Sequence, residues 1–273
     1  RGSSVCARKW FPSEAWLNKA LRDLQKGELE VLGLVRPASN ETYLCRLPSG
    51  LQCAYKPISG ERALWDFPDG TLAHREHSAW LVSQSLGWGI VPDTVLRDGP
   101  YGMGVVQRWI DTSEDDFPAL IAEADQIPHG YLPVLEATDS HGRQLVLAHE
   151  DSSALFRMAI FDLITNNTDR KGGHILAQTD GQRFGIDHGL CFHHRDKLRT
   201  ILWGFSDRLI PDDYLESLTA LLEELDAGLG AQLELALTSQ EVAALAQRVR
   251  RTIRNRVMPR APADWPALPW PPM

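Results

Sequence analysis

The stretch "ITNNTDRKGGHIL", residues 164–176, sets two Asn, an Asp, an Arg and a His between apolar residues, with adjacent glycines inside it. Asp169 is followed five residues later by His174, and Asp187, in "GIDHG", lies 18 residues beyond Asp169. Phosphoryl transfer to a hydroxyl uses a set of this kind. Its catalysis is mostly positioning and charge neutralisation, so it needs one carboxylate beside the attacking hydroxyl and metal ligands converging from neighbouring turns. "HILAQTDGQRFGIDHGLCF" reads as two short strands joined by a tight "TDGQ" turn, and a hairpin brings residues distant in sequence to one point. Taken alone, Asp169 and Arg170 read better as an exposed ion pair in a turn.

The elements upstream supply a second half for the same chemistry. "SEAWLNKALRDLQK", residues 13–26, is an amphipathic helix that Ser13 can cap. "LEVLGLVRPASNETYLCRLPSGLQCAYKPI" breaks into about three short strands at "PASN" and "PSG", a β-meander. Lys56 ends its third strand. "GTLAHREHSAWLVSQSLG" is a helix that carries Glu76, and "IVPDTVLRD" and "YGMGVVQRWI" are strands around a turn. Downstream, "EDSSALFRMAIFDLITNN" is helical with Ser152 or Ser153 as cap, "PDDYLESLTALLEELDAGLG" and "TSQEVAALAQRVRRTIRNRV" are helices, and "PRAPADWPALPWPPM" is an extended tail. Mostly β, then mostly α, predicts a bilobal α+β protein with a cleft between lobes. The expected divisions are a helical extension at 1–28, a nucleotide-binding lobe at 29–112, a catalytic and metal-binding lobe at 113–258, and a Pro/Trp-rich tail at 259–273.

Lys, then helical Glu, then a strand leading out of the first lobe, then Asp169, His174 and Asp187 follow the order of the protein-kinase template. More closely, "NTDR", the short hairpin and "IDHG" resemble the phosphatidylinositol 3-/4-kinase-like branch of that superfamily, especially its compact actinobacterial members, from about Leu29 to about Leu225. "RPASNETY" fits the Ser-containing turn that those families use in place of a Gly-rich loop, and "LRTILWGF" adds to the likeness. The resemblance implies a bilobal kinase-like fold and an ATP-dependent phosphotransferase. It makes Asp169 the catalytic carboxylate, with Arg170 as its structural or charge-stabilising partner, and makes His174 and Asp187 ligands of Mg²⁺ or Mn²⁺. It places Lys56 on phosphate, Glu76 against Lys56, Ser39 and Asn40 over the phosphates, and Gln107, Arg108, Trp109 and Ile110 at the adenine-side hinge. The chain departs from the pattern at His174, where those families have Asn. An imidazole ligand suits Mn²⁺ better than Mg²⁺. Little room is left after Asp187 for a long, phosphorylation-switched loop. A nucleotide-binding scaffold without turnover and a transferase of AMP are the alternatives.

Composition limits the partners. The 273 residues are 43% hydrophobic and 23% charged, with net charge −8, which suits a soluble protein and argues against nucleic acid or an anionic membrane as an obligatory partner. No polybasic patch or membrane-insertion loop is evident, so the acceptor is an unidentified hydroxyl compound: a small molecule, a lipid or a protein. His193 and His194, with Arg195, Lys197 and Arg199, form either a basic solvated loop or a receiver for an anionic substrate. His74 and His77 lack further ligands at suitable spacing. Trp265 and Trp270 of the tail either seat in a partner groove or pack on the body. Four scattered Cys and no apolar leader point to a reduced, cytoplasmic monomer.

Overall fold

A computed structural model of the chain describes residues 14–36, 40–62, 64, 67, 72–113, 115–263 and 266–273. They divide into two units, residues 1–61 with 93–109, and residues 62–92 with 110–273. Among the sequence expectations, the Ser13 cap, the role of Ser39 and the packing of Trp265 lie outside the described residues.

The first unit is a five-stranded antiparallel sheet with a helix. Helix α1 (Glu14–Lys26) is followed by β1 (Glu30–Leu34), β2 (Tyr43–Arg46) and β3 (Gln52–Pro57), then by the hairpin β4 (Thr94–Gly99) and β5 (Gly102–Arg108), in spatial order β1-β2-β3-β5-β4. The β2–β3 and β4–β5 reversals each need a short turn, and the glycines that sit at positive φ there, Gly50 and Gly102, supply them. Leu24 of α1 packs with Leu47, Cys53, Tyr55, Val95 and Val106 into one small core. Arg97 locks α1 to the sheet by donating to the carbonyls of Leu24 and Gly27, at 2.9 and 2.8 Å. Those two carbonyls close the helix end, where an unmet acceptor would otherwise remain.

The second unit holds helix α2 (Leu72–Leu86), a sheet of β6 (Ala119–Glu123), β7 (Tyr131–Thr138) and β8 (Gln144–Glu150), helix α3 (Ser153–Thr165), the hairpin β9 (Ile175–Ala177) and β10 (Arg183–Gly185), and helices α4 (Asp212–Glu224), α5 (Gly230–Leu233) and α6 (Ser239–Asn255). The three-stranded sheet, ordered β6-β8-β7, is absent from the sequence expectations. So is the grouping of α2: it packs within this unit, where Arg75 meets Glu241 of α6 at 2.7 Å and donates to the Cys191 carbonyl at 2.9 Å. The α3 sequence "SALFRMAIFDLIT" is apolar nearly all round because the helix is buried on most sides. Ser152 caps it, accepting from the Leu155 amide at 3.2 Å, and Thr238 with Glu241 forms a capping box on α6. Among the described residues, no helix is long and apolar enough to cross a membrane.

Candidate active site

Helix α3 ends where the candidate site begins. Asn166 takes the left-handed conformation (φ 55°), which Asn tolerates better than most residues, and turns the chain out of the helix. Its side chain then fixes the return path, donating to the carbonyls of His193 (2.9 Å) and Arg195 (2.7 Å) and accepting from the Lys197 amide (2.8 Å). Asn167 accepts from the Asp169 amide at 3.0 Å, which sets the backbone just ahead of the Asp169 carboxylate. That carboxylate is partly exposed and pairs with Lys171 at 3.0 Å.

Arg170 is not the solvated partner of Asp169 that an isolated turn would hold. It is fully buried, and it faces Asp162 of α3 at 2.9 Å. Its Nη1 donates to the carbonyls of His174 (3.2 Å) and Ile186 (3.1 Å), and its Nη2 lies 2.7 Å from His188 Nε2. One guanidinium therefore ties down the chain at His174 and on both sides of Asp187. Asp162 completes the arrangement by accepting from Asn167 at 3.0 Å and from Thr200 at 3.3 Å. Burial lowers the Arg170 pKa and the Asp162 carboxylate raises it, with a net upward direction, so the guanidinium stays ionised.

His174 and Asp187 converge. His174 Nε2 stands 3.4 Å from Asp187 Oδ2, and His174 Nδ1 is 2.9 Å from the Asp169 carbonyl. A carbonyl only accepts, so Nδ1 carries the proton and Nε2 presents a lone pair. Burial, more than any other cause, holds the His174 pKa below its ordinary value, although Asp187 pulls it upward. A neutral imidazole and a carboxylate thus direct lone pairs toward one another. Their separation lets one cation touch both, since nitrogen and oxygen ligands lie about 2.0–2.2 Å from such ions. Among the described residues no group of three or more His, Cys, Asp or Glu is placed to hold a metal. An ion here would complete its coordination with water and phosphate oxygens, the usual habit of metals at phosphoryl-transfer sites. Asp187 itself adopts φ 58°, uncommon for a residue with a side chain, and is held there by its neighbours' bonds to Arg170 and by the Ile186 amide on the His174 carbonyl (3.0 Å).

The structure brings Asp169, Arg170, His174 and Asp187 together in the second unit. Glu76 is buried on α2 and Ile110 is buried, both also in that unit. Lys56 lies on β3 of the first unit, and Asn40 follows β1 there. In β5, Gln107 is buried and donates to Thr94 at 2.9 Å, Arg108 pairs with Asp93 at 3.5 Å, and the Trp109 amide donates to the Gln52 carbonyl at 3.0 Å. Burial is the main cause that lowers the Arg108 pKa. Asp162, Asn167, Lys171 and His188 belong to the site but not to the sequence expectations. Asp162 carried a signal, a lone acid inside the apolar run "MAIFDLI", and Lys171 stood two residues beyond the candidate carboxylate.

The chain is 46% identical over 265 residues to Protein Rv2133c of Mycobacterium tuberculosis, an alignment that spans 91% of this chain and 93% of that protein. No protein-family profile matches it. Among solved structures, the crystal structure of the Golgi casein kinase matches with a TM-score of 0.53 and 13% identity, over 89% of this chain and 75% of that one. The structure of the Golgi casein kinase with Mn/ADP bound matches with a TM-score of 0.57 and 13% identity, over 89% of this chain and 76% of that one. The likeness is one of fold, and the α+β kinase-like class expected from the sequence is the class observed.

Proposed function

We propose that this chain, which belongs to the family of Protein Rv2133c, is an ATP-dependent phosphotransferase of the phosphatidylinositol 3-/4-kinase-like type that acts on a hydroxyl. The observation that carries the reading is the approach of His174 Nε2 to Asp187 Oδ2, 3.4 Å apart, on a loop whose next carboxylate is Asp169. The fold it shares with kinases, one of them described with Mn/ADP bound, supports nucleotide and a divalent metal as ligands.

In this reading Asp169 orients the acceptor hydroxyl and takes up its proton as the new bond forms. Lys171, in contact with that carboxylate, offers positive charge near the transferring group. His174 and Asp187 would hold the metal, which when bound neutralises phosphate charge. Arg170 touches neither substrate nor metal: it positions both ligands through their backbone. Lys56 binds phosphate and Glu76 orients it, with Ser39 and Asn40 over the phosphates and residues 107–110 beside the base. The imidazole ligand tilts the site toward Mn²⁺ over Mg²⁺. The reading places the protein in the cytoplasm as a monomer, with Cys45, Cys53 and Cys191 present as free buried thiols.

The test is ADP formation from ATP with Mn²⁺ or Mg²⁺, followed by a γ-labelled ATP assay against lipid, small-molecule and protein fractions of cell extract. Asp187→Ala should abolish metal-dependent nucleotide binding, whereas Asp169→Ala should bind ATP normally and not turn over. Wild-type activity in both variants overturns the assignment. An acceptor gaining the mass of AMP redirects it to nucleotidyl transfer, and His174→Asn with unchanged metal preference removes the Mn²⁺ inference.

A further inference from the structure

Residues 266–273 run without regular helix or strand, and they touch the catalytic loop and its backbone partner at two places. The first is an anchor. The Ala267 carbonyl accepts from the Thr200 amide at 3.1 Å and from the Trp203 indole at 2.8 Å. Ala267 and Leu268 pack on the main core, and Pro269 is buried. The second is a latch. The Pro272 carbonyl accepts from the Gly172 amide at 2.8 Å, and the Met273 side chain fills the space that a Cβ on Gly172 would take.

The two points bracket Arg170. Thr200 forms a parallel bridge with Arg170, in which the Arg170 amide donates to Arg199 and the Ile201 amide to Arg170, each at 3.1 Å. Gly172 is two residues beyond Arg170 and three beyond Asp169.

We propose that residues 266–273 are a strap that positions the catalytic loop, with the Pro272 carbonyl as its latch on Gly172. The inference rests on the phosphotransferase reading of Asp169. The character of the two ends supports it. The anchor is buried, but the latch end is not: Trp270 is 85% exposed and Met273 43%. Burial of apolar surface therefore explains the anchor and leaves the latch unexplained. What the latch does engage is the amide of Gly172, the first of two glycines that follow Asp169 on a tight turn. Pro269, Pro271 and Pro272 each fix φ, so the segment loses little freedom in holding this course. A loop held from both sides presents Asp169 in one orientation, and a displacement of about 1 Å at such a residue costs turnover roughly a hundredfold.

Three chains test this: the full chain, a chain ending at Pro269 and Gly172→Pro. Lys171 is extended (φ −91°, ψ 164°) and Gly172 opens a 3₁₀ turn, so proline suits the loop's own backbone but lacks the N–H for the latch. Two quantities are read: ADP formation from ATP and Mn²⁺ with water as acceptor, and deuterium uptake of residues 168–174. The chain ending at Pro269 and Gly172→Pro should lose about tenfold or more in kcat at an unchanged KM for ATP, with uptake in 168–174 accelerated and the thermal midpoint held. Unchanged uptake in both perturbed chains overturns the strap, as does faster uptake with undiminished kcat, or a fall in kcat that comes only with a rise in KM and a lowered midpoint. If the full chain makes no ADP while uptake in 168–174 still rises on shortening, the phosphotransferase reading fails and the strap on the loop stands.

Discussion

Asp162→Asn removes one charge from the most buried ion pair in the site. Both side chains are fully buried, and the Asp162 carboxylate accepts from Arg170 Nε (3.0 Å), Arg170 Nη2 (2.9 Å), Asn167 (3.0 Å) and Thr200 (3.3 Å). The amide has one acceptor oxygen for these donors, and its NH₂ must face a donor. Arg170 cannot discharge itself at any ordinary pH, so it remains as a buried cation without a counter-charge. Breaking a buried pair from one side costs about 3–5 kcal/mol, a large share of a total stability of about 5–15 kcal/mol. Arg170→Met costs less, because a stranded carboxyl can take up a proton. The double variant Asp162→Asn with Arg170→Met should be at least about 2 kcal/mol better than the sum of the single losses, since it strands no charge. Urea unfolding gives the three values, and an unchanged m-value shows that the midpoint shift reports stability. The functional readout differs. Arg170→Met frees the carbonyls of His174 and Ile186, so metal-dependent ATP binding should weaken even where the fold survives. A loss under about 1 kcal/mol for Asp162→Asn, or strict additivity in the double variant, refutes the reasoning.

Three further outcomes are open to measurement. His149 is fully buried and its pKa is pulled down to about 4, chiefly by burial, so the unfolded chain binds the extra proton first as pH falls; stability is complete above about pH 6.5 and drops by up to ~3 kcal/mol on the way to pH 4, and His149→Phe, whose ring can pack on Phe205, flattens this stretch of the curve. Gly104→Ala drives a Cβ into the Lys56 carbonyl and to 2.8 Å from Pro57 Cα, both backbone atoms, so the strand that carries Lys56 must shift, with about 1–3 kcal/mol lost in thermal unfolding and ATP affinity lowered with it. Burial lifts the thiols of Cys45 to about 11 and of Cys53 and Cys191 to about 12, so native protein at pH 8 should leave all three unlabelled by a thiol reagent, with peptide mapping as the check and rapid labelling of Cys191 as the contrary result.

The parts of the fold written in local signals were legible in the sequence. Ser152 and Thr238 mark helix starts, the "TDGQ" turn marks the β9–β10 hairpin, and alternating apolar residues mark β3 to β5. The sheet of β6, β7 and β8 was not legible, and its residues show why. Pro133 sits inside β7, which normally argues against a strand, and it is accommodated on an edge strand at a register shift between Pro133 and Leu135. Its hairpin turn depends on Asp139, which accepts from the His141 and Arg143 amides at 2.8 and 3.0 Å, a side-chain turn that no glycine–asparagine pair announces. In the site, Asp169, His174 and Asp187 were found by spacing. Asp162 and Asn167 were not, because they act on the backbone and on Arg170 and leave no periodic trace. Arg170 was singled out as a structural or charge-stabilising residue, but its pairing with Asp162 was not legible, since sequence adjacency to Asp169 says nothing of the direction in which its side chain leaves the loop.

That direction explains how the loop tolerates its own strain. Asn166, Asp187 and Phe192 all have positive φ, at 55°, 58° and 71°, and they flank the candidate site. Such conformations cost about 1–3 kcal/mol each where nothing compensates. Behind the loop, the Asp162–Arg170 pair and its bonds to the carbonyls of residues 174 and 186 form a buried network. The Phe192 amide adds a 2.6 Å bond to the Thr165 carbonyl, and Asn166 bonds three backbone groups between His193 and Lys197. In front, the Asp169 and Asp187 carboxylates keep partial access to solvent. A charge network buried on one side and open on the other holds His174, Asp187 and Asp169 in fixed relation while leaving both carboxylates partly open to solvent. Arg170 must stay ionised behind the loop for this to hold. A lysine there has too few donors in a fixed plane to reach Asp162, His174, Ile186 and His188 together, so Arg170→Lys should lose metal-dependent binding almost as fully as Arg170→Met.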